Sequence, residues 1–191
     1  RGRDRAVSQP GPGAPPTITL PAAELPPGVC PLVATPIGNL GDIGLRALSV
    51  LAAADIIYAE DTRHTRRLLD RYGLSVPLAS FHDPNAARAV PAIIERLRAG
   101  ARVAVVSDAG MPCISDPGYA LVSALRREDL PYSVVPGPSS VLAALVLSGF
   151  PTDRFRFLGF VQRKTGARRR QLEQALAEPG PSVLQESCHR N

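Results

Sequence analysis

The sequence predicts an α/β fold: a five-stranded parallel sheet with helices on both faces, followed by the start of a second, mixed α/β domain. Three observations point there. Short apolar runs such as Val103 to Val106 show no alternation, as strands buried on both faces do not. Between the runs lie helical patterns of about 10 to 15 residues, and strands alternating with such helices imply right-handed crossovers and a parallel sheet. Each run then breaks into a turn rich in Gly, Pro, Asp or hydroxyl residues.

Residues 1–28 hold runs such as QPGPGAPP and little that can enter a core, so they read as a disordered Pro/Gly-rich tail. An organelle transit peptide fits Arg1, Arg3 and Arg5 but not Asp4 and the prolines. The α/β domain is read over residues 29–150. Leu32 to Thr35 forms a first strand, PIGNLGD turns the chain, and Asp42 is expected to cap a helix running to about Ala54. Ile56 to Ala59 is a second strand; Asp61 or Thr62 caps a helix that ends at Gly73. Leu78 to Phe81 is the third strand, followed by HDPN and a helix from about Asn85 to Ala99. Val103 to Val106 is the fourth, with its helix over Tyr119 to Arg127, and Tyr132 to Val135 the fifth, with PGPSS and an apolar helix closed by Gly149. Past Pro151 the character changes. Phe155 to Phe160 alternates like a strand of a mixed or antiparallel sheet, and a basic segment, a short helix and a strand from Ser182 follow. Residues 151–191 are therefore read as the start of a truncated second domain, whose two strands cannot bury their own face.

With 45% apolar residues in 191, the chain has enough to build a core. Its net charge of +5 is compatible with a polyanionic partner. Cys30, Cys113 and Cys188 lie far apart and read as reduced thiols of a cytosolic protein. The longest apolar stretch, Val141 to Leu147, is far short of the roughly 20 residues that span a bilayer, so no membrane crossing is expected. The first residues hold no secretory h-region, and a chain that opens on Arg1 is not expected to be a complete reading frame.

In a parallel sheet the five turns, TPIGN, EDT, FHDPN, SDAG and PGPSS, all follow strand carboxyl ends and share one edge, where open α/β sheets bind ligands. GxGxxG, GxxxxGK[ST] and GxSxG fingerprints are absent, which disfavours NAD-type, P-loop and serine-hydrolase chemistry. His64, His82 and His189 are not at metal-ligand spacing and read as surface or capping residues. What remains is a site of backbone, hydroxyls and a few carboxylates: Glu60, Asp61, Asp108, Asp116, Ser139 and Ser140. One of the two serines is expected to serve only as an N-cap, and Asp108 can brace its loop instead of meeting a ligand.

TPIGNLGDI (Thr35 to Ile43), AEDTRHTRRLL (Ala59 to Leu69), VSDAGMPCISDPG (Val106 to Gly118), VPGPSS (Val135 to Ser140) and GFPTDRFRFLGF (Gly149 to Phe160) together resemble the bacterial family of ribosomal RNA small subunit methyltransferase I, within the tetrapyrrole methylase superfamily. The resemblance runs from about Pro31 to Arg190. It implies a sheet domain of tetrapyrrole methylase type, S-adenosylmethionine as methyl donor, and 2′-O-methylation of a cytidine ribose in 16S rRNA of the 30S subunit. Cytoplasmic location and homodimers are implied with it. Carried over by position, Pro36, Ala109, Gly110, Met111, Ile114, Ser139 and Ser140 would line the cofactor pocket. Three departures stand out: Met111 replaces the family's Thr, Cys113 its next Gly, and Cys188 the Pro of ESPHR, and family members continue well past Asn191.

The expected chemistry is a single in-line methyl transfer accelerated mainly by positioning, with Asp108 and Glu60 as candidate general bases. Arg163, Lys164, Arg168, Arg169 and Arg170, joined by Arg63, Arg66 and Arg67, are candidate phosphate contacts, set against a merely solvated charged face. Two alternatives are a tetrapyrrole-type small-molecule methyltransferase and a truncated, inactive remnant that binds RNA or a partner.

Overall fold

The structure, a computed structural model, describes residues 20–23, 25–114 and 118–186. Most of the expected tail lies outside these residues, as do Asp116, Cys188 and His189. Strands β1 (Cys30–Val33), β2 (Ile56–Ala59), β3 (Leu78–Ser80), β4 (Val103–Val106) and β5 (Tyr132–Val135) form one sheet in the order β3-β2-β4-β1-β5, every pair parallel. Because alternate side chains point to opposite faces, each apolar strand feeds two cores. Val33, Ile57, Ala59, Ala104 and Val106 pack with α1 (Leu45–Ala53) and α2 (Thr62–Arg71). Leu32, Tyr58, Val103 and Val105 pack with α3 (Ala86–Arg98) and α4 (Gly118–Arg127) on the other face. The last helix of this part is α5 (Ser140–Ser148), stopped by Gly149 in a left-handed conformation.

The strand order positions the site. From β1 the chain crosses over β4 to reach β2, whereas from β4 it crosses over β1 to reach β5. Adjacent β1 and β4 thus send their loops apart, which opens a crevice between their carboxyl ends.

One local expectation needs correction. Asp42 does not cap α1: it belongs to a 3-10 turn, Leu40–Asp42, whose cap is the Asn39 side chain accepting from Gly41 N–H, and α1 starts after Gly44. Beyond Pro151, where a mixed or antiparallel sheet is expected, β6 (Arg156–Phe160) and β7 (Ser182–Gln185) form a parallel pair, which a mixed sheet admits, with an irregularity between Phe157 and Phe160. The reason lies in the connection, since the intervening helix α6 (Thr165–Ala177) is the crossover that parallel pairing requires. This unit has no buried residue in either strand or in α6. Its internal tie is Arg156, whose guanidinium donates to Ala175 O (3.0 Å), Glu178 O (3.0 Å) and Ser182 Oγ (2.8 Å) and pairs with the Glu178 carboxylate.

Candidate active site

The loops after β1, β4 and β5 are stitched together at the crevice. Thr35 N–H donates to Gly110 O at 3.0 Å and Gly110 N–H returns to Thr35 O at 3.1 Å, an antiparallel bridge beyond the ends of two parallel strands. The buried Thr35 hydroxyl donates to Ser107 O at 3.0 Å, and the buried Ser107 hydroxyl to Gly110 O at 3.3 Å. Gly110 needs to be glycine: its φ is +81°, and a Cβ there would stand 3.4 Å from Ile37 Cγ2 of the first loop and 3.5 Å from Pro138 O of the fifth. Gly137 is held closer still, since a Cβ on it would clash with Ala34 Cβ at 2.9 Å. The rim here consists of backbone, small residues and hydroxyls.

The neighbouring part of the same edge, after β2, β3 and β4, is acidic. Asp108 Oδ1 accepts the Asp61 N–H at 2.8 Å and so braces the β4 loop to the β2 loop. Glu60 is half-buried beside it; burial first, then the charge of Asp108 and that of Asp83, push its carboxyl above the ordinary glutamate range. The Asp108 backbone N–H and His82 favour the ion and only partly offset this. His82 also has its Nδ1 buried without a hydrogen-bond partner. Asp61 is occupied otherwise: it caps α2 through Arg63 N–H (2.8 Å) and pairs with the Arg63 guanidinium, which holds its carboxyl well below the usual range.

A sequence profile of the tetrapyrrole (corrin/porphyrin) methylases matches residues 29–191. The chain belongs to the tetrapyrrole methylase family. It is 49% identical over 171 residues to the ribosomal RNA small subunit methyltransferase I of Mesorhizobium japonicum, covering 90% of this chain and 58% of that protein. It is likewise 49% identical over 153 residues to the protein of the same name from Thermotoga maritima, covering 80% of this chain and 68% of that one. The crystal structure of uroporphyrin-III-C-methyltransferase from Thermus thermophilus superposes with a TM-score of 0.58 at 25% identity, over 85% of this chain and 69% of that one. The chain thus spans little more than half the length of the Mesorhizobium relative.

In this tetrapyrrole methylase the remaining predicted residues are distributed unevenly. Pro36 is buried beside Thr35, Ala109 is exposed, Met111 is half-buried and Ile114 exposes 47% of its surface on the β4 loop. Ser139 is the N-cap of α5, accepting from Leu142 N–H at 3.4 Å, so the expected division between the two serines assigns Ser139 to the helix. Ser140 Oγ instead receives Gln185 Nε2 at 2.8 Å. Cys113, where the family resemblance has Gly, sits at φ +71°, a region that favours glycine; its sulfur lies against Gly118, where an added Cβ would collide with Sγ. Cys30 is fully buried, and burial pushes its thiol up to about 12. Among the described residues Cys30 and Cys113 are not joined to each other by a disulfide.

The basic residues do not join this rim in one patch. Arg168, Arg169 and Arg170 lie exposed in the first half of α6, after exposed Arg163 and Lys164, and Arg169 pairs with Glu173 at 2.7 Å. On α2, Arg66 donates to Val76 O and the exposed Arg63 is tied to Asp61, while Arg67 is exposed as well. Three contributors escaped the sequence reading: the Thr35 and Ser107 hydroxyls, whose apolar settings gave no hint of pairing, and Gln185, whose partner is 45 residues away. Among the described residues no helix is long and apolar enough to cross a membrane.

Proposed function

We propose that this chain is the donor-binding portion of an enzyme that methylates the ribose 2′-hydroxyl of a cytidine in 16S rRNA, using S-adenosylmethionine and acting on the 30S subunit. The observation that carries this reading is the double hydrogen bond between Thr35 and Gly110, which fixes a close, backbone-lined crevice at the switch point of the sheet. Such a crevice suits a zwitterionic nucleoside better than a polyphosphate: it offers main-chain groups, small side chains and hydroxyls, with an exposed apolar Ile114 on the β4 loop, and no basic side chain in the β1, β4 or β5 loop. The names of the relatives supply the nucleic-acid substrate.

Pro36, Ala109, Gly110, Met111, Ile114 and Ser140 would hold the cofactor, with Ser139 keeping the helix start in place. When bound, S-adenosylmethionine supplies a sulfonium-activated methyl group, so the protein's task is positioning and removal of one proton. Glu60 is the base: its raised proton affinity brings it nearer to the operating pH than an ordinary carboxylate. Asp108 acts on it indirectly, as the brace that receives Asp61 N–H and as the adjacent charge. Residues 29–150 form the catalytic domain and residues 151–191 begin a second one.

Arg163, Lys164, Arg168 and Arg170 contact RNA phosphates, with Arg169 a lesser participant because of Glu173. Lys164 at the N-cap of α6, with Arg168 one turn on, puts positive charge at the positive end of the helix dipole, an unfavourable placement that an anionic partner relieves. The intact protein works in the cytoplasm as a homodimer.

Calorimetric titration with S-adenosylmethionine, followed by transfer of labelled methyl to 30S subunits, tests the reading. Saturable binding and a label recovered on a cytidine ribose are expected. Absence of binding overturns it, and a label accepted by a porphyrinogen but not by RNA favours the small-molecule alternative. Neutralising the basic segment should lower the salt slope of RNA binding by roughly 0.7 to 0.9 for each phosphate that no longer meets a cation.

A further inference from the structure

We infer that Gln185 is a positioning residue that sets the hydrogen-bonding polarity of Ser140 at the rim, so that the Ser140 hydroxyl faces a bound ligand as a donor; this rests on the cofactor reading above. Gln185 ends β7 in the second unit, where its carbonyl receives Val161 N–H at 2.9 Å and its Cα stands opposite Phe160. The side chain leaves that strand and reaches the first residue of α5, donating Nε2–H to Ser140 Oγ at 2.8 Å.

Ser139 Oγ likewise accepts an N–H, but from Leu142 of its own helix, so only the Ser140 hydroxyl is oriented from the second unit. A serine hydroxyl has one proton to give and two lone pairs to fill. An amide N–H from Gln185 occupies a lone pair, so the Ser140 proton stays available for an acceptor such as a carboxylate or ribose oxygen. The same bond adds a side-chain tie between β7 and the helix that follows β5, two elements that also pack together. An exposed hydrogen bond of this kind has a modest net worth, which puts the expected effects at several-fold.

Four variants separate the possibilities. Gln185→Glu keeps the reach but presents only acceptors, so it takes the Ser140 proton for itself; affinity for S-adenosylmethionine, read by calorimetry, should fall about tenfold. Gln185→Ala should cost about threefold, and combined with Ser140→Ala should add nothing further to the loss from Ser140→Ala alone. In the cofactor-free protein, Gln185→Ala should quicken amide exchange in residues 140–148 and 182–185 together while the thermal midpoint stays put. Gln185→Glu binding within twofold of the unmodified chain overturns the polarity assignment, and unchanged exchange in both segments overturns the tie. If the unmodified chain itself binds no S-adenosylmethionine, the cofactor reading and the polarity assignment fall together, and the exchange measurement still decides whether Gln185 joins the two units.

Discussion

The five-stranded sheet and the β6–α6–β7 unit obey the same crossover rule but are stabilised in different ways. In the first, β1 and β4 are buried along their whole length and each face carries helices. In the second, no strand or helix residue is buried, and Phe150, Leu172, Leu176 and Leu184 line an open apolar groove of about 760 Å³. With no fully buried residue in its strands or helix, this unit relies on hydrogen bonds and ion pairs, above all those of Arg156, to define its geometry. Burial therefore supplies stability in one region, and polar ties supply shape in the other.

The largest expected effect is a core truncation. Leu121→Ala, at a position with no exposed surface, should lower unfolding free energy by about 3 kcal/mol in urea denaturation, whereas Leu176→Ala, 86% exposed, should stay within about 0.5 kcal/mol. Equal losses would erase the contrast. Next, Arg156→Ala should weaken the second unit by about 2 kcal/mol, seen as faster amide exchange in β6 and β7 with β1 to β5 unaffected; uniform acceleration would mean that the two regions unfold as one. Within the sheet region, strain at the rim is smaller but legible. Cys113→Gly should raise stability by about 0.5 kcal/mol, because it removes a side chain from a left-handed backbone, and a lower thermal midpoint would count against that account.

The smallest effect depends on pH. Since Glu60 binds its proton more tightly in the folded chain than in the unfolded one, its contribution is most favourable below the ordinary carboxylate range and is lost as pH rises through the raised value. Glu60→Gln should then be more stable than the unmodified chain at neutral pH, by a few tenths of a kcal/mol (about 0.3) after solvent screening, and the two should converge in acid. A thermal-melt series across that range checks the sign. On the proposed reading the same substitution should also slow methyl transfer, a readout separate from its effect on stability.

Much of this was legible in the chain. Apolar runs located β2 and β4 to the residue, because a strand buried on both faces leaves no other place for such a run, and the flanking Pro131 and Pro136 delimited β5, an edge strand that is mostly exposed. Asp61 and the closing glycines at 73, 100 and 149 followed from capping chemistry that acts within a few residues. The turn after β1 was harder: Asn39, not Asp42, took the local N–H, since short polar side chains compete for the same donors.

The sequence by itself determined the alternation of strands and helices, the glycines that left-handed turns require, and the family, since each is set by residues close in the chain or by their order along it. Only the tertiary structure decided that Ser139 serves its helix while Ser140 meets Gln185, that Asp108 braces Asp61, and that Glu60 lies where burial raises its proton affinity. Those assignments depend on which strand lies beside which, and strand order is fixed by burying both faces of the sheet at once, a property that no short window of sequence carries.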